Sequence, residues 1–189
     1  MPFSQSSQLS TIVRFIERAS PSSILDVGVG MGQYGFLARI NLENEHLFIV
    51  DGAQGWQRPK TEWKTIIDGI EGCAVYVTPV HQYVYNKLMI GDALSILPTI
   101  PDDSYQLVIA IDILEHLEIA DGLSFLAHLK RIASKAALVS TPKLFHEQVI
   151  PANPFENHRS VWSDDDLEQA GFSQVLPNQE SWIVTYSKL

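Results

Sequence analysis

The chain predicts an α/β fold: a doubly wound sheet of about seven strands, mostly parallel, with one antiparallel strand near the C-terminus. Three observations carry this. Apolar strand patterns alternate with helical ones along most of the chain, the order that builds a parallel sheet with helices on both faces. A glycine-rich turn, Gly28 to Gly32, joins the first strand to a helix. Four strands end in an acid, at Asp26, Asp51, Asp92 and Asp112, and in such a sheet these ends share one edge, where open α/β folds bind ligands.

The elements follow in order. Leu9, Ile12, Val13, Phe15 and Ile16 recur at helical spacing, so residues 6–19 read as an amphipathic leading helix within a 1–20 lead segment. Pro21-Ser22-Ser23 stops it, and residues 24–27 form the first strand. A helix over 33–41 places Tyr34, Leu37, Ala38 and Ile40 on its apolar positions. Residues 47–50 are apolar and read as the second strand, ending at Asp51-Gly52. Residues 53–86 are the hardest to read: 56–70 suits a helix in part, and 73–85 mixes apolar, aromatic and β-branched residues around Pro79. Residues 88–90 form a short strand before Gly91-Asp92-Ala93, and 94–97 a helical turn closed by Pro98 and Pro101. The run from Tyr105 to Ile111 is nearly all apolar, as a strand buried on both faces requires. Residues 122–133 carry Leu123, Leu126, Leu129 and Ile132 at helical spacing, and 136–139 form the next strand. Residues 143–163 read as a long loop, a length that in compact domains usually serves function. Ser163 followed by three aspartates marks a helix start. Two strand-like pieces, 173–176 and 182–186, close the chain around Asn178.

With 189 residues, 46% apolar and 19% charged, the chain reads as one globular domain over 1–189. The net charge of −9 disfavours a phosphate-backbone footprint, so nucleic acid is an unlikely partner. No signal-like segment and no long apolar span is present, so the reading expects a cytoplasmic protein that makes no membrane contact. The single cysteine, Cys73, suits a reducing compartment.

The turn admits two cofactors. Gly30-Met31-Gly32-Gln33-Tyr34-Gly35 satisfies the dinucleotide pattern, with Asp51 about 20 residues on. Against this, carboxylates at strand ends suit ribose hydroxyls, an exocyclic amine and an ammonium better than a pyrophosphate. The chain is also short for a dinucleotide domain plus a substrate domain.

The residues resemble the class I S-adenosylmethionine (SAM)-dependent methyltransferases. Asp26-x-Gly28-x-Gly30-x-Gly32 is similar to their first motif, Asp51 to their ribose acid, Gly91-Asp92-Ala93 to their adenine motif, and Asp112-Ile113-Leu114-Glu115-His116-Leu117 to their segment after strand four. The terminal strand pair matches their antiparallel strand. Ser140-Thr141-Pro142, Gln148, Asn153-Pro154, His158-x-Ser160-x-Trp162 and Gly171-Phe172 further resemble a small bacterial subgroup. The resemblance implies a Rossmann-like fold and S-adenosyl-L-methionine as cofactor. Its cofactor contacts would be Asp26, Gly28, Gly30, Gly32, Tyr34, Asp51, Gly52, Gly91, Asp92, Ala93, Asp112 and Ile113. It implies methyl transfer to an O or N nucleophile of a small-molecule or glycan acceptor, with His116 and His158 as candidate bases. Asp112, Glu115, His116 and His158 are also loosely similar to the two-Glu, two-His ion site of metal-dependent small-RNA methyltransferases. The aspartate at the first place and the acidic chain argue against that, and no metal ligand is assigned. The rival readings are a non-catalytic cofactor-binding protein on the same fold and the NAD-binding protein above.

Overall fold

The computed structural model describes residues 4–188; the ends of the predicted 1–189 span lie outside the described residues. The helices are α1 (Leu9–Ala19), α2 (Gln33–Glu43), α3 (Pro79–Val84), α4 (Ala93–Ile96), α5 (Ile119–Ile132) and α6 (Asp164–Gln169). The strands are β1 (Ser23–Val27), β2 (Phe48–Asp51), β3 (Gln54–Gln57), β4 (Ile66–Glu71), β5 (Lys87–Ile90), β6 (Tyr105–Ile111), β7 (Ala133–Pro142), β8 (Gln174–Leu176) and β9 (Ser181–Ser187). Seven of them form one sheet in the order β5-β4-β1-β6-β7-β9-β8. β9 runs antiparallel to both neighbours and every other pairing is parallel. The expected doubly wound, seven-stranded sheet with its antiparallel C-terminal strand is therefore present.

Period-2 alternation splits the core into two layers. Leu25, Val27, Val108 and Ala110 face one layer with Phe125, Leu126, Leu129, Trp162, Leu167 and Phe172. Ile24, Leu107, Ile109 and Ile111 face the other with Ile12, Ile16, Tyr34, Ala38 and Val84. Helices α1, α2 and α3 thus cover one face, and α4, α5 and α6 the other. No helix of the described residues is long and apolar enough to cross a membrane.

One strand differs from the sequence reading. Phe48–Asp51 pairs antiparallel with Gln54–Gln57 in a separate two-stranded hairpin and never joins the main sheet. The sheet position beside β1 belongs to Ile66–Glu71, inside the stretch read as partly helical. The cause lies at the base of the excursion. Fully buried Arg39 donates to Glu43 Oε1 (3.2 Å), to the Val84 carbonyl (3.0 Å) and to Asn86 Oδ1 (2.8 Å). Glu43 in turn accepts from the amides of Lys64 (3.1 Å) and Thr65 (2.7 Å). The chain leaving α2 is therefore closed on itself at Thr65, and β4 begins immediately after. Buried charges hold only when paired and hydrogen-bonded, and this pair is both.

The long loop after β7 is irregular but well tied. Arg159 and Ser160 amides both donate to the Glu115 carbonyl (2.8 and 3.2 Å), and the His158 amide donates to the Gln148 carbonyl (3.0 Å). Trp162, 1% exposed, donates to Ser160 Oγ at 2.8 Å. Its ring lies against Gly122, where a Cβ would come within 2.3 Å. The loop then enters α6 through the predicted cap: Ser163 and Asp166 form a reciprocal capping box.

Candidate active site

The carboxyl ends of β1, β4, β5 and β6 open into a cleft of about 360 Å³. Strands β4 and β5 are added on one side of β1, and β6 and β7 on the other, so the cleft lies at the topological switch point between β1 and β6. Gly28 (φ 75°) sits there with its Cα facing Ile113, where a Cβ would come within 2.9 Å of Cδ1. The turn needs glycine on both counts.

Ten of the fourteen residues named as cofactor contacts or bases line the cleft: Asp26, Gly28, Gly30, Tyr34, Asp92, Ala93, Asp112, Ile113, His116 and His158. Gly32 and Gly91 do not line it, although each adjoins the lining backbone: Gly32 caps α2 and Gly91 precedes Asp92. Asp51 and Gly52 are a correction. Both are exposed on the β2–β3 hairpin, outside the lining. The acid at the end of the strand beside β1 is Glu71, 6% exposed. Its Oε2 accepts the Gly30 amide (2.9 Å) and its Oε1 the Cys73 amide (2.8 Å), so it holds the glycine turn while lining the cleft.

Two residues from the stretch that was hardest to read in sequence, His81 and Tyr85, support the same turn. His81 Nδ1 accepts the Thr78 amide at 3.0 Å. Its Nε2 must therefore carry the hydrogen, donated to the Gly30 carbonyl at 2.8 Å. Tyr85 donates its hydroxyl to Asp26 Oδ2 at 2.6 Å. Neither follows from sequence spacing, because α3 reaches the turn only through tertiary packing.

Burial dominates the electrostatics. It pushes the Asp26 carboxyl up to about 7; the Tyr85 hydroxyl opposes this, the Glu71 charge adds to it and the Gly35 backbone opposes it. Burial also raises Glu71, Asp112 and Glu115. Asp112, held at φ 51°, is heavily engaged: Ser140 Oγ donates to Oδ1 (3.0 Å) and Gln8 Nε2 to Oδ2 (2.5 Å), and Ser4 and the Gln5 backbone also hydrogen-bond to it. Burial lowers His116, and its hydrogen bond with the Asn157 carbonyl opposes this.

The raised Asp26 has a thermodynamic consequence. An unfolded aspartate holds its proton only below about pH 4. Between about pH 4 and 7 the folded chain binds more protons than the unfolded one, so stability from this group is present at low pH and lost as pH rises to about 7. Asp26→Asn removes the cost of the buried charge while keeping an acceptor for Tyr85. We expect it to melt higher than wild type at pH 8, by about 2–4 kcal/mol or roughly 4–16 °C, with the gap narrowing below pH 7 and closing near pH 4. Thermal denaturation across that range checks this, and a gap independent of pH refutes it.

Six acids line the cleft, Asp26, Glu71, Asp92, Asp112, Glu115 and Glu156, and no Lys or Arg among the described residues does. Such a cleft favours a ligand carrying positive charge and opposes a pyrophosphate.

No protein-family model matches the chain, and no curated protein sequence does. Solved structures do match in fold. A SAM-dependent methyltransferase from Archaeoglobus fulgidus shares 14% identity at a TM-score of 0.62, over 97% of this chain and 95% of that one. One from Aquifex aeolicus shares 17% at 0.57, over 96% and 93%. Magnesium protoporphyrin IX methyltransferase from Synechocystis, solved with bound SAM, shares 15% at 0.57, over 96% and 78%. The chain has the fold of SAM-dependent methyltransferases.

Proposed function

We propose that the protein is a SAM-dependent methyltransferase acting on an O or N nucleophile of a small-molecule or glycan acceptor. The observation that carries the reading is the cleft at the sheet's switch point, lined by six acids and no Lys or Arg. SAM presents a sulfonium, an ammonium, a ribose and an adenine. A dinucleotide presents a pyrophosphate, and Asp51, the acid its fingerprint requires, lies on the exposed hairpin. A methyltransferase neighbour solved with SAM, and others solved with its demethylated product, support the same choice.

Asp26 and the Gly28–Gly30 backbone would hold the charged methionyl part. Glu71 takes the ribose role that the sequence reading gave to Asp51, since each of its oxygens keeps a second lone pair beyond its amide bond. Asp92, Ala93 and Ile113 would line the adenine, and Asp112 shapes the wall behind it. When bound, SAM supplies an electrophilic methyl group. The chain supplies alignment, which carries most of the acceleration in such a displacement. At the acceptor end stand His116 and His158, ring centroids 5.0 Å apart. His158 Nδ1 and His116 Nδ1 face the carbonyls of His146 (2.6 Å) and Asn157 (3.2 Å), leaving each Nε2 a lone pair for the acceptor's proton.

Calorimetry with SAM and with its demethylated product tests the binding half. We expect one site for each, and no heat at millimolar ligand sinks the reading. Transfer of a labelled methyl group to a metabolite extract tests the chemistry. Binding without transfer across a broad acceptor panel favours the non-catalytic alternative.

A further inference from the structure

We propose that Glu115, His116 and His158 form a binding site for a first-row divalent cation of borderline character, such as zinc, manganese or cobalt, at the acceptor end of the cleft. The inference deepens the methyltransferase reading and rests on it only for the role of the ion, not for its binding.

One ligand atom from each of the three residues lies within 4.8 Å of the other two. Donors bound to such an ion at about 2.0–2.2 Å sit roughly 3–4 Å apart, so small side-chain rotations close the set. The residues come from two elements brought together by main-chain bonds. Glu115 and His116 follow β6, and the Glu115 carbonyl accepts the amides of Arg159 and Ser160. That clamp sets His158 beside His116.

The ring hydrogens are already committed. Each Nδ1 faces a backbone carbonyl, at 3.2 Å for His116 and 2.6 Å for His158. A metal-bound histidine fixes its other nitrogen in this way, which orients the ring and sharpens the free lone pair. Thr141 Oγ1 donates to Glu115 Oε2 at 3.0 Å, giving the carboxylate its own outer partner. Glu115 is 4% exposed, in a cleft with no Lys or Arg among its described lining residues. A dication neutralises that buried charge.

Asp112 is not among the three that converge; Ser140, Gln8, Ser4 and the Gln5 backbone together engage its carboxylate. Two imidazoles and one carboxylate make a three-ligand set that leaves positions open on the cleft side. Two nitrogen ligands select borderline ions over magnesium or calcium, which prefer oxygen. The open positions would take an oxygen of the acceptor and fix it in line with the donor's methyl group; with the ion bound, Nε2 of His116 and of His158 would be ligands and not bases, and the ion would lower the acceptor's pKa in their place.

The test uses the full chain stripped with a chelator and titrated with cobalt(II). Calorimetry should show one site, and a visible ligand-field band should grow to saturation at one equivalent. Addition of magnesium in tenfold excess should leave the band in place. His158→Ala and Glu115→Gln should each weaken cobalt affinity about 100-fold or more, whereas His128→Ala, on α5 outside the cleft lining, should not change it. Circular dichroism and SAM calorimetry on the same variants report folding. No band in wild type, or an unchanged band in a folded His158→Ala, overturns the site. SAM binding without cobalt binding would sink this inference and leave the methyltransferase reading standing; the reverse would do the opposite.

Discussion

Glu71→Ala should weaken SAM binding by about 100-fold, while Asp51→Ala should leave it within about twofold. The reason is position. Glu71 ends the strand paired with β1 and lines the cleft, and Asp51 is exposed on a hairpin outside the sheet. Removing Glu71 deletes the ribose acceptor and leaves the Gly30 amide, which donates to Oε2 at 2.9 Å, without its partner. Hydrogen bonds to a charged group contribute about 1.5–3 kcal/mol, and 100-fold in affinity corresponds to about 2.7 kcal/mol. Glu71→Gln keeps one acceptor oxygen and should fall between the two. Calorimetry with SAM on the three variants decides it. A large loss in Asp51→Ala with Glu71→Ala unaffected would return the ribose role to the hairpin.

Gly35→Ala should destabilise the fold by about 2–5 kcal/mol, although alanine is the better helix former. A Cβ at Gly35 would come within 2.3 Å of the Tyr85 hydroxyl and 2.5 Å of Cζ. Tyr85 is 3% exposed, so its ring has no free space to enter. Relief requires the hydroxyl to leave Asp26 Oδ2, its partner at 2.6 Å, inside a buried site where an unpaired carboxylate is costly. Overpacking alone costs about 1–3 kcal/mol, and the helix gain of about 1 kcal/mol does not offset both losses. Gly55→Ala is the control, since a Cβ there meets nothing closer than 3.8 Å; it should stay within about 0.5 kcal/mol of wild type. Urea denaturation measures all three proteins. Equal stability of Gly35→Ala and wild type would mean that Tyr85 moves freely, contrary to its packing.

The two positions also show where the sequence was readable. Tyr105–Ile111 is apolar on both faces, and its strand stands where the pattern put it. The Asp26-x-Gly28-x-Gly30 turn follows β1 as expected, because tight backbone approach leaves a signature of glycine that no other fold element imitates well. The sheet strand Ile66–Glu71 was hidden by its own contents. Asp68 and Gly69 interrupt the apolar run, yet both are required: Asp68 accepts the Tyr105 hydroxyl at 2.7 Å, and a Cβ at Gly69 would come within 2.7 Å of Val29. The apolar Phe48–Asp51 run offered a cleaner local pattern and proved to be the exposed hairpin. Arg39 and Glu43 are charged and carry no burial signal in sequence, but they form the buried pair that closes off that hairpin.

By itself the sequence determined the alternation of elements, the glycine turn and three of the acids on the ligand edge, because those depend on local periodicity and on backbone freedom. Only the tertiary structure decided which strand lies beside β1, that Glu71 rather than Asp51 faces the cleft, that Tyr85 and His81 hold the turn, and that Glu115, His116 and His158 converge. Those facts depend on contacts between residues about 20 to 60 positions apart, and such contacts are set by packing and buried hydrogen bonds that no short window of sequence contains.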